Sequence, residues 1–104
     1  MEGVNLSLLP TTDRERLQEL CQRYGVRRLL LFGSFARGEA SEASDLDLLV
    51  EFFPGQVLGL GFVRLQEELS RLFGKRVDLH TARSLSRYFR KEVLREALPL
   101  YEAA

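Results

Sequence analysis

The sequence predicts an α/β fold of the α+β kind, a small mixed sheet of at least three strands flanked by helices. Three observations carry this expectation. Apolar residues recur at helical spacing from Leu17 to Tyr24 and again from Phe62 to Phe73. Short aliphatic runs, Val26 to Phe32 and Asp45 to Phe53, are bounded by glycine or by Pro54-Gly55. Helical and strand patterns alternate along the chain, the order in which helices come to cover a sheet.

Each element has its own signal. Thr12-Asp13-Arg14-Glu15 has the form of a capping box, in which Thr12 and Glu15 satisfy each other's free backbone donors. Leu17, Leu20, Cys21 and Tyr24 then fall at i, i+3, i+4, i+7, and Gly25 stands where a left-handed stop belongs. Val26 to Phe32 is too short and too aliphatic for a helix and reads as a buried strand ending at Gly33. Gly33 to Ser44 is a turn with room for one helical turn. In the second strand Leu46, Leu48 and Val50 share a face. Phe62, Leu65, Leu69, Leu72 and Phe73 predict a helix ending at Gly74. Lys75 to Thr81 predicts a third strand, with Val77 and Leu79 on one side and Asp78 and His80 on the other. Leu85, Phe89, Val93 and Leu98 predict a last helix that stops before Pro99. The order is therefore α-β-α-β-α-β-α.

At 104 residues and 11.9 kDa, with 45% hydrophobic and 29% charged residues, the composition is that of one globular domain. The expected domain is 1–104, with its core at about 12–98. Fifteen basic and fifteen acidic residues cancel, which leaves no global field for nucleic acid or an anionic membrane. Cys21 is the single cysteine, so neither a disulfide framework nor a cysteine zinc site is expected. Met1 to Pro10 has neither a basic cluster nor a long apolar stretch, and no run approaches the ~20 apolar residues of a membrane span. These features predict a cytoplasmic protein.

The chemistry concentrates between Gly33 and Asp47. Gly33-Ser34 follows a strand directly, and a strand-to-helix turn of this kind offers free N–H groups suited to phosphate. Glycine permits close approach, and the Ser34 hydroxyl adds a donor. The segment is not a Walker A loop, because Glu39 and Ala40 stand where lysine and Ser/Thr belong. Gly59-Leu60-Gly61 is not a dinucleotide fingerprint either, since Arg64 replaces the third glycine.

Asp45 and Asp47, two apart on a strand, leave one face roughly 6.5–7 Å apart at the backbone. Like charges about 5 Å apart at an effective dielectric near 20 repel by about 3 kcal/mol, a cost that a bound cation removes. Oxygen ligands without cysteine favour Mg²⁺ or Mn²⁺ over zinc. Between Gly38 and Val63 there are five acids and no base, a segment that repels a triphosphate unless metal accompanies it. A solvated strand end is the plain alternative for an Asp-x-Asp pair, and the glycine-serine turn eleven residues earlier argues against it.

A site shared by Gly33 and Asp45 requires the first two strands to run antiparallel. Asp78 must then lie on an adjacent strand, facing the same side. There it completes a two-metal cluster or takes a proton from an attacking hydroxyl; the alternative is a surface aspartate beside Lys75 and Arg76. His80 is expected as a structural or rim residue. Arg37 either contacts phosphate or anchors the turn on a carboxylate. Arg83, Arg87, Lys91 and Arg95 form an i, i+4 row, either a solvated face or a docking face for an acidic partner or for phosphates.

Gly33-Ser34-Phe35-Ala36-Arg37-Gly38, Ser44-Asp45-Leu46-Asp47-Leu48-Leu49-Val50 and Val77-Asp78-Leu79 together resemble the signature of the DNA polymerase β-like nucleotidyltransferases. The closest branch is the minimal nucleotidyltransferases, and the resemblance runs in order from about Thr12 to Leu98. It implies that family's fold and an ATP site in which Gly33 and Ser34 hold the β- and γ-phosphates, with Arg37 beside them. It also implies that Asp45 and Asp47 hold Mg²⁺ or Mn²⁺, with Asp78 as third carboxylate. The family transfers a nucleoside monophosphate to a hydroxyl and releases pyrophosphate. Minimal members pair with HEPN-domain toxins encoded beside them, and some adenylylate a tyrosine of that toxin. The expected function is therefore that of an adenylylating antitoxin. The alternative is a binding module that neutralises its partner by contact, with an idle nucleotide site.

Overall fold

In the computed structural model the described residues are 11–41, 43–55 and 59–103, the side chains of Thr11, Thr12 and Tyr88 excepted. Helix α1 (Thr11–Arg23) leads into β1 (Val26–Phe32), the single turn α2 (Ser34–Arg37), β2 (Leu46–Phe52) and helix α3 (Leu60–Phe73). There follow β3 (Val77–Thr81), a 3-10 turn (Ala82–Ser84), helix α4 (Arg87–Glu96) and β4 (Leu98–Glu102). The capping box expected at Thr12 falls on a side chain outside the described residues. No helix among the described residues is long and apolar enough to cross a membrane.

Four strands form one mixed sheet among the described residues, in the order β3-β2-β1-β4. β1 pairs antiparallel with both β2 and β4, whereas β2 and β3 run parallel because α3 carries the chain back between them. Both faces of the sheet are covered. Leu29 and Leu31 of β1 and Leu46, Leu48 and Val50 of β2 pack on Leu17, Leu20 and Cys21 of α1 and Leu65 and Leu69 of α3. On the opposite face Leu30, Phe32 and Leu49 meet Leu85 and Val93 beneath α4. Burial on both sides is why the run from Leu29 to Phe32 does not alternate. Burial also pushes the Cys21 thiol up to about 12, leaving it a small apolar core residue. Leu31 is fully buried on a central strand. Leu31→Ala is expected to cost about 2–5 kcal/mol, read as a lower denaturant midpoint.

The termini of α1 and α3 follow the sequence. Gly25 and Gly74 both adopt positive φ, at 70° and 68°, where a side chain would be strained. Tyr24 donates its hydroxyl to Glu68 Oε2 at 2.7 Å and ties the two helices together.

The last third departs from the expected single helix. Ser84 and Thr81 cap each other around the 3-10 turn, and Ser86 accepts from the Phe89 N–H at 3.2 Å, so α4 starts afresh at Arg87. It ends at Glu96, and Leu98 opens a fourth strand rather than closing the helix. Pro99, read as a helix stop, sits on an edge strand, where its missing N–H breaks no interior ladder. The pairing with β1 shifts between Leu29 and Leu30, next to that proline. Leu98 and Leu100 pack against the larger core. Phe89, one of the apolar positions that predict the last helix, is 50% exposed. Arg83 stands on the 3-10 turn, so the basic row is not one helical stripe.

At the other edge β3 is fixed by side chains. Its Val77 N–H donates to Ser70 Oγ at 3.0 Å, its Leu79 N–H to Gln66 Oε1 at 2.9 Å, and its Thr81 N–H to Ser84 Oγ at 3.2 Å.

Candidate active site

The antiparallel pairing inferred from a shared site is present, and its register builds the site. Phe32 pairs with Asp47 across β1 and β2, and Asp47 pairs with Asp78 across β2 and β3. The first residue after β1, Gly33, thus lies beside Asp47. Its φ of 79° and ψ of −155° belong to a region that only glycine occupies freely. A Cβ built there would stand 2.5 Å from Asp47 Oδ2. Glycine at this position therefore does two things, turning the chain and letting it lie against a carboxylate.

The single turn α2 begins at Ser34 and is closed by Gly38, whose φ is 75°. First-turn N–H groups of a helix have no intrahelical partner and favour an anion. The Ser34 hydroxyl takes no partner among the described residues. Phe35 and Ala36 pack on the core, and Lys75 lies over the Phe35 ring at 5.3 Å. Arg37 contacts two carboxylates in this structure. Its Nε and NH1 donate to Glu39 Oε1 and to Glu96 Oε1, both at 3.0 Å, which fastens the turn to the end of α4.

A pocket of about 350 Å³ opens between these elements. Gly33, Ser34 and Arg37 line it from the turn, and Phe32, Asp47, Asp78 and His80 from the sheet. Phe89, Glu92, Val93 and Glu96 line it from α4. His80 Nε2 stands 3.4 Å from Asp78 Oδ2 and 3.7 Å from Asp47 Oδ1, and one donor atom from each residue lies within 4.8 Å of the others. Burial lifts the Asp47 carboxyl above the ordinary carboxylate range; Asp78 adds to the rise and His80 opposes it. Two carboxylates and an imidazole, one of the carboxylates already resisting ionisation, are a donor set that fits a divalent cation.

Asp45 precedes β2, and its Oδ2 faces Arg76 Nε at 3.9 Å instead of joining that group of three. His80, expected as structural or at the rim, stands inside the group. Alternation with Asp78 on β3 was the available signal. Phe89 was not foreseen as a pocket wall; it packs edge-on to Phe32, with ring centroids 6.4 Å apart. Glu92 and Glu96 were likewise not foreseen as pocket walls.

A glycine turn set against acids from two neighbouring strands, beneath a pocket open to solvent, brings donors suited to an anion beside ligands suited to a cation. The chain belongs to the nucleotidyltransferase domain family, which it matches over residues 14–101. It is 48% identical over 81 residues to protein adenylyltransferase MntA of Thermococcus cleftensis, covering 78% of this chain and 81% of that protein. A solved structure assigned as a minimal nucleotidyltransferase is 50% identical, with a TM-score of 0.72 over 85% of this chain and 89% of the other. The fold also matches a chain from the complex of a tri-AMPylated Shewanella oneidensis HEPN toxin with its MNT antitoxin. That match has 19% identity and a TM-score of 0.62, over 88% of this chain and 71% of the other.

Proposed function

We propose that the chain transfers AMP from ATP to a hydroxyl, foremost a tyrosine, on a HEPN-type toxin encoded beside it, and so acts as its antitoxin in the cytoplasm. The observation that carries this reading is the register that sets Gly33, Asp47 and Asp78 around one pocket. The adenylyltransferase at 48% identity supports the choice of reaction.

In this reading the turn at Gly33 and Ser34 receives the β- and γ-phosphates, and Arg37 exchanges a carboxylate for phosphate when nucleotide enters. Asp47 and Asp78, with Asp45 released from Arg76, hold Mg²⁺ or Mn²⁺. The bound ion supplies charge neutralisation at the phosphates. The acceptor oxygen attacks the α-phosphorus in line, the bond to pyrophosphate breaks, and the hydroxyl proton passes to Asp78. Holding that oxygen about 3–3.5 Å from phosphorus is the main geometric task, and it falls to the docked partner.

One feature favours the contact alternative. Arg83, Arg87, Lys91 and Arg95 are exposed and make no ion pair among the described residues, so they offer a surface to an acidic partner. The experiment separates the two readings. Incubation with a purified HEPN-type partner, Mg²⁺ and ATP is expected to add AMP units to that partner, read by intact mass. Asp78→Asn is expected to block the addition far more than it weakens ATP binding. An unchanged mass, with toxicity still suppressed by the Asp45→Asn, Asp47→Asn variant, would establish neutralisation by contact instead.

A further inference from the structure

The chain has one histidine, and it stands in the pocket. His80 follows Asp78 by two residues on β3 and so shares its face. It pairs in register with Leu49, one of the fully buried residues of β2. The Phe32 ring meets the imidazole edge-on, with centroids 5.3 Å apart, and restricts its rotation. Nε2 is thereby aimed between two carboxylates.

The spacing admits two roles for that nitrogen. Nε2 stands 3.4 Å from Asp78 Oδ2 and 3.7 Å from Asp47 Oδ1, where a protonated imidazole would pair with either carboxylate. Ligands bound about 2.0–2.2 Å from one ion stand roughly 3–4 Å from each other. The group's separations also suit co-ligands of one ion. Asp47, Asp78 and His80 are the donors already gathered within reach of one ion among the described residues, and Asp45 joins them only on leaving Arg76.

We propose that His80 is a metal ligand, adding an imidazole to the carboxylates that hold the ion, so that the site takes a first-row transition ion such as Mn²⁺ in preference to Mg²⁺. An all-oxygen site serves either ion, whereas an imidazole nitrogen is a poor ligand for Mg²⁺ and a good one for the transition series. The proposal rests on the transfer reading only for the presence of a divalent cation, and it concerns this chain's own ligand set.

The test is pulsed electron paramagnetic resonance on the full chain, free of any affinity tag, loaded with Mn²⁺. An imidazole ¹⁴N coupling is expected in the wild type, and with one histidine in the chain it can arise only from His80. The coupling should vanish in His80→Ala. Calorimetry should show that variant losing at least about tenfold in Mn²⁺ affinity while Mg²⁺ affinity changes by less than about threefold. Bound Mn²⁺ without nitrogen coupling, equal losses for both ions, or no Mn²⁺ binding at all would overturn the assignment. If His80→Ala does not fold, the wild-type spectrum decides alone. Transfer that fails with every metal while the coupling is present would instead count against the transfer reading and leave the ligand assignment standing.

Discussion

Replacing Asp45 and Asp47 together by asparagine is expected to leave a folded protein that transfers no nucleotide. Asp47 is partly buried between Asp78 and the turn at Gly33, and its carboxyl is lifted above the ordinary range, first by burial and then by Asp78. A carboxyl raised in the folded state confers stability that is fully present below its unfolded value. That stability is lost as pH rises through the folded value. The metal-free wild type should therefore lose stability as pH rises from the unfolded value through the folded one, and the double variant should lose this component. Asp45 contributes little to the comparison, because its partner Arg76 is exposed and 3.9 Å away. Near neutral pH the metal-free melting temperature should stay level or rise. The wild type should gain stability from Mg²⁺ and ATP by mass action, and the variant should gain none. A variant stabilised by Mg²⁺ and ATP as much as the wild type would remove Asp45 and Asp47 from the metal site.

The second large effect is expected at Gly33. Its backbone lies where a side chain costs about 1–3 kcal/mol, and a Cβ would in addition press on Asp47 Oδ2 at 2.5 Å. Gly33→Ala should thus lower stability and displace the carboxylate, so that Mg²⁺-dependent ATP binding falls with it. Gly38 is the control. It has a comparable φ of 75°, but a Cβ there meets nothing within 4 Å. Gly38→Ala should cost about 1–2 kcal/mol from the left-handed backbone alone and leave ATP affinity close to wild type. Each kcal/mol should read as about 4–8 °C in melting temperature for a chain of this size. Equal ATP affinities in the two variants would mean that the turn does not need to touch Asp47.

The first two strands and the helix over Leu60–Phe73 were legible because local pattern decides them. Val26–Phe32 is an aliphatic run stopped by a glycine with positive φ, and α3 shows five apolar positions at helical spacing. The facing of Asp47 and Asp78 was also legible, since alternation fixes a side chain's face once strands are granted. The register that places them side by side was not. It depends on the α3 crossover and on partners distant in sequence, such as Ser70 and Gln66 holding β3. β4 was missed because Pro99 is an equally good helix stop and edge-strand residue, and only pairing with Leu29–Leu31 distinguishes the two. His80 shows the same limit. Its face was clear, but its distance from Asp47, on a different strand, is a property of the assembled sheet.

The three N–H donors of β3 that bond to Ser70, Gln66 and Ser84 bear on how a second protein can reach the pocket. A sheet edge with bare donors is a template on which a foreign segment can lie down as an additional strand. Beside Asp78 that template is already filled, and an incoming strand would have to displace three hydrogen bonds, each worth about 0.5–1.5 kcal/mol. If the acceptor hydroxyl belongs to a folded partner, as proposed, it would be carried over the end of the sheet by a helix or a loop. An extended peptide, however well its sequence matched, would find no ladder to join at that edge.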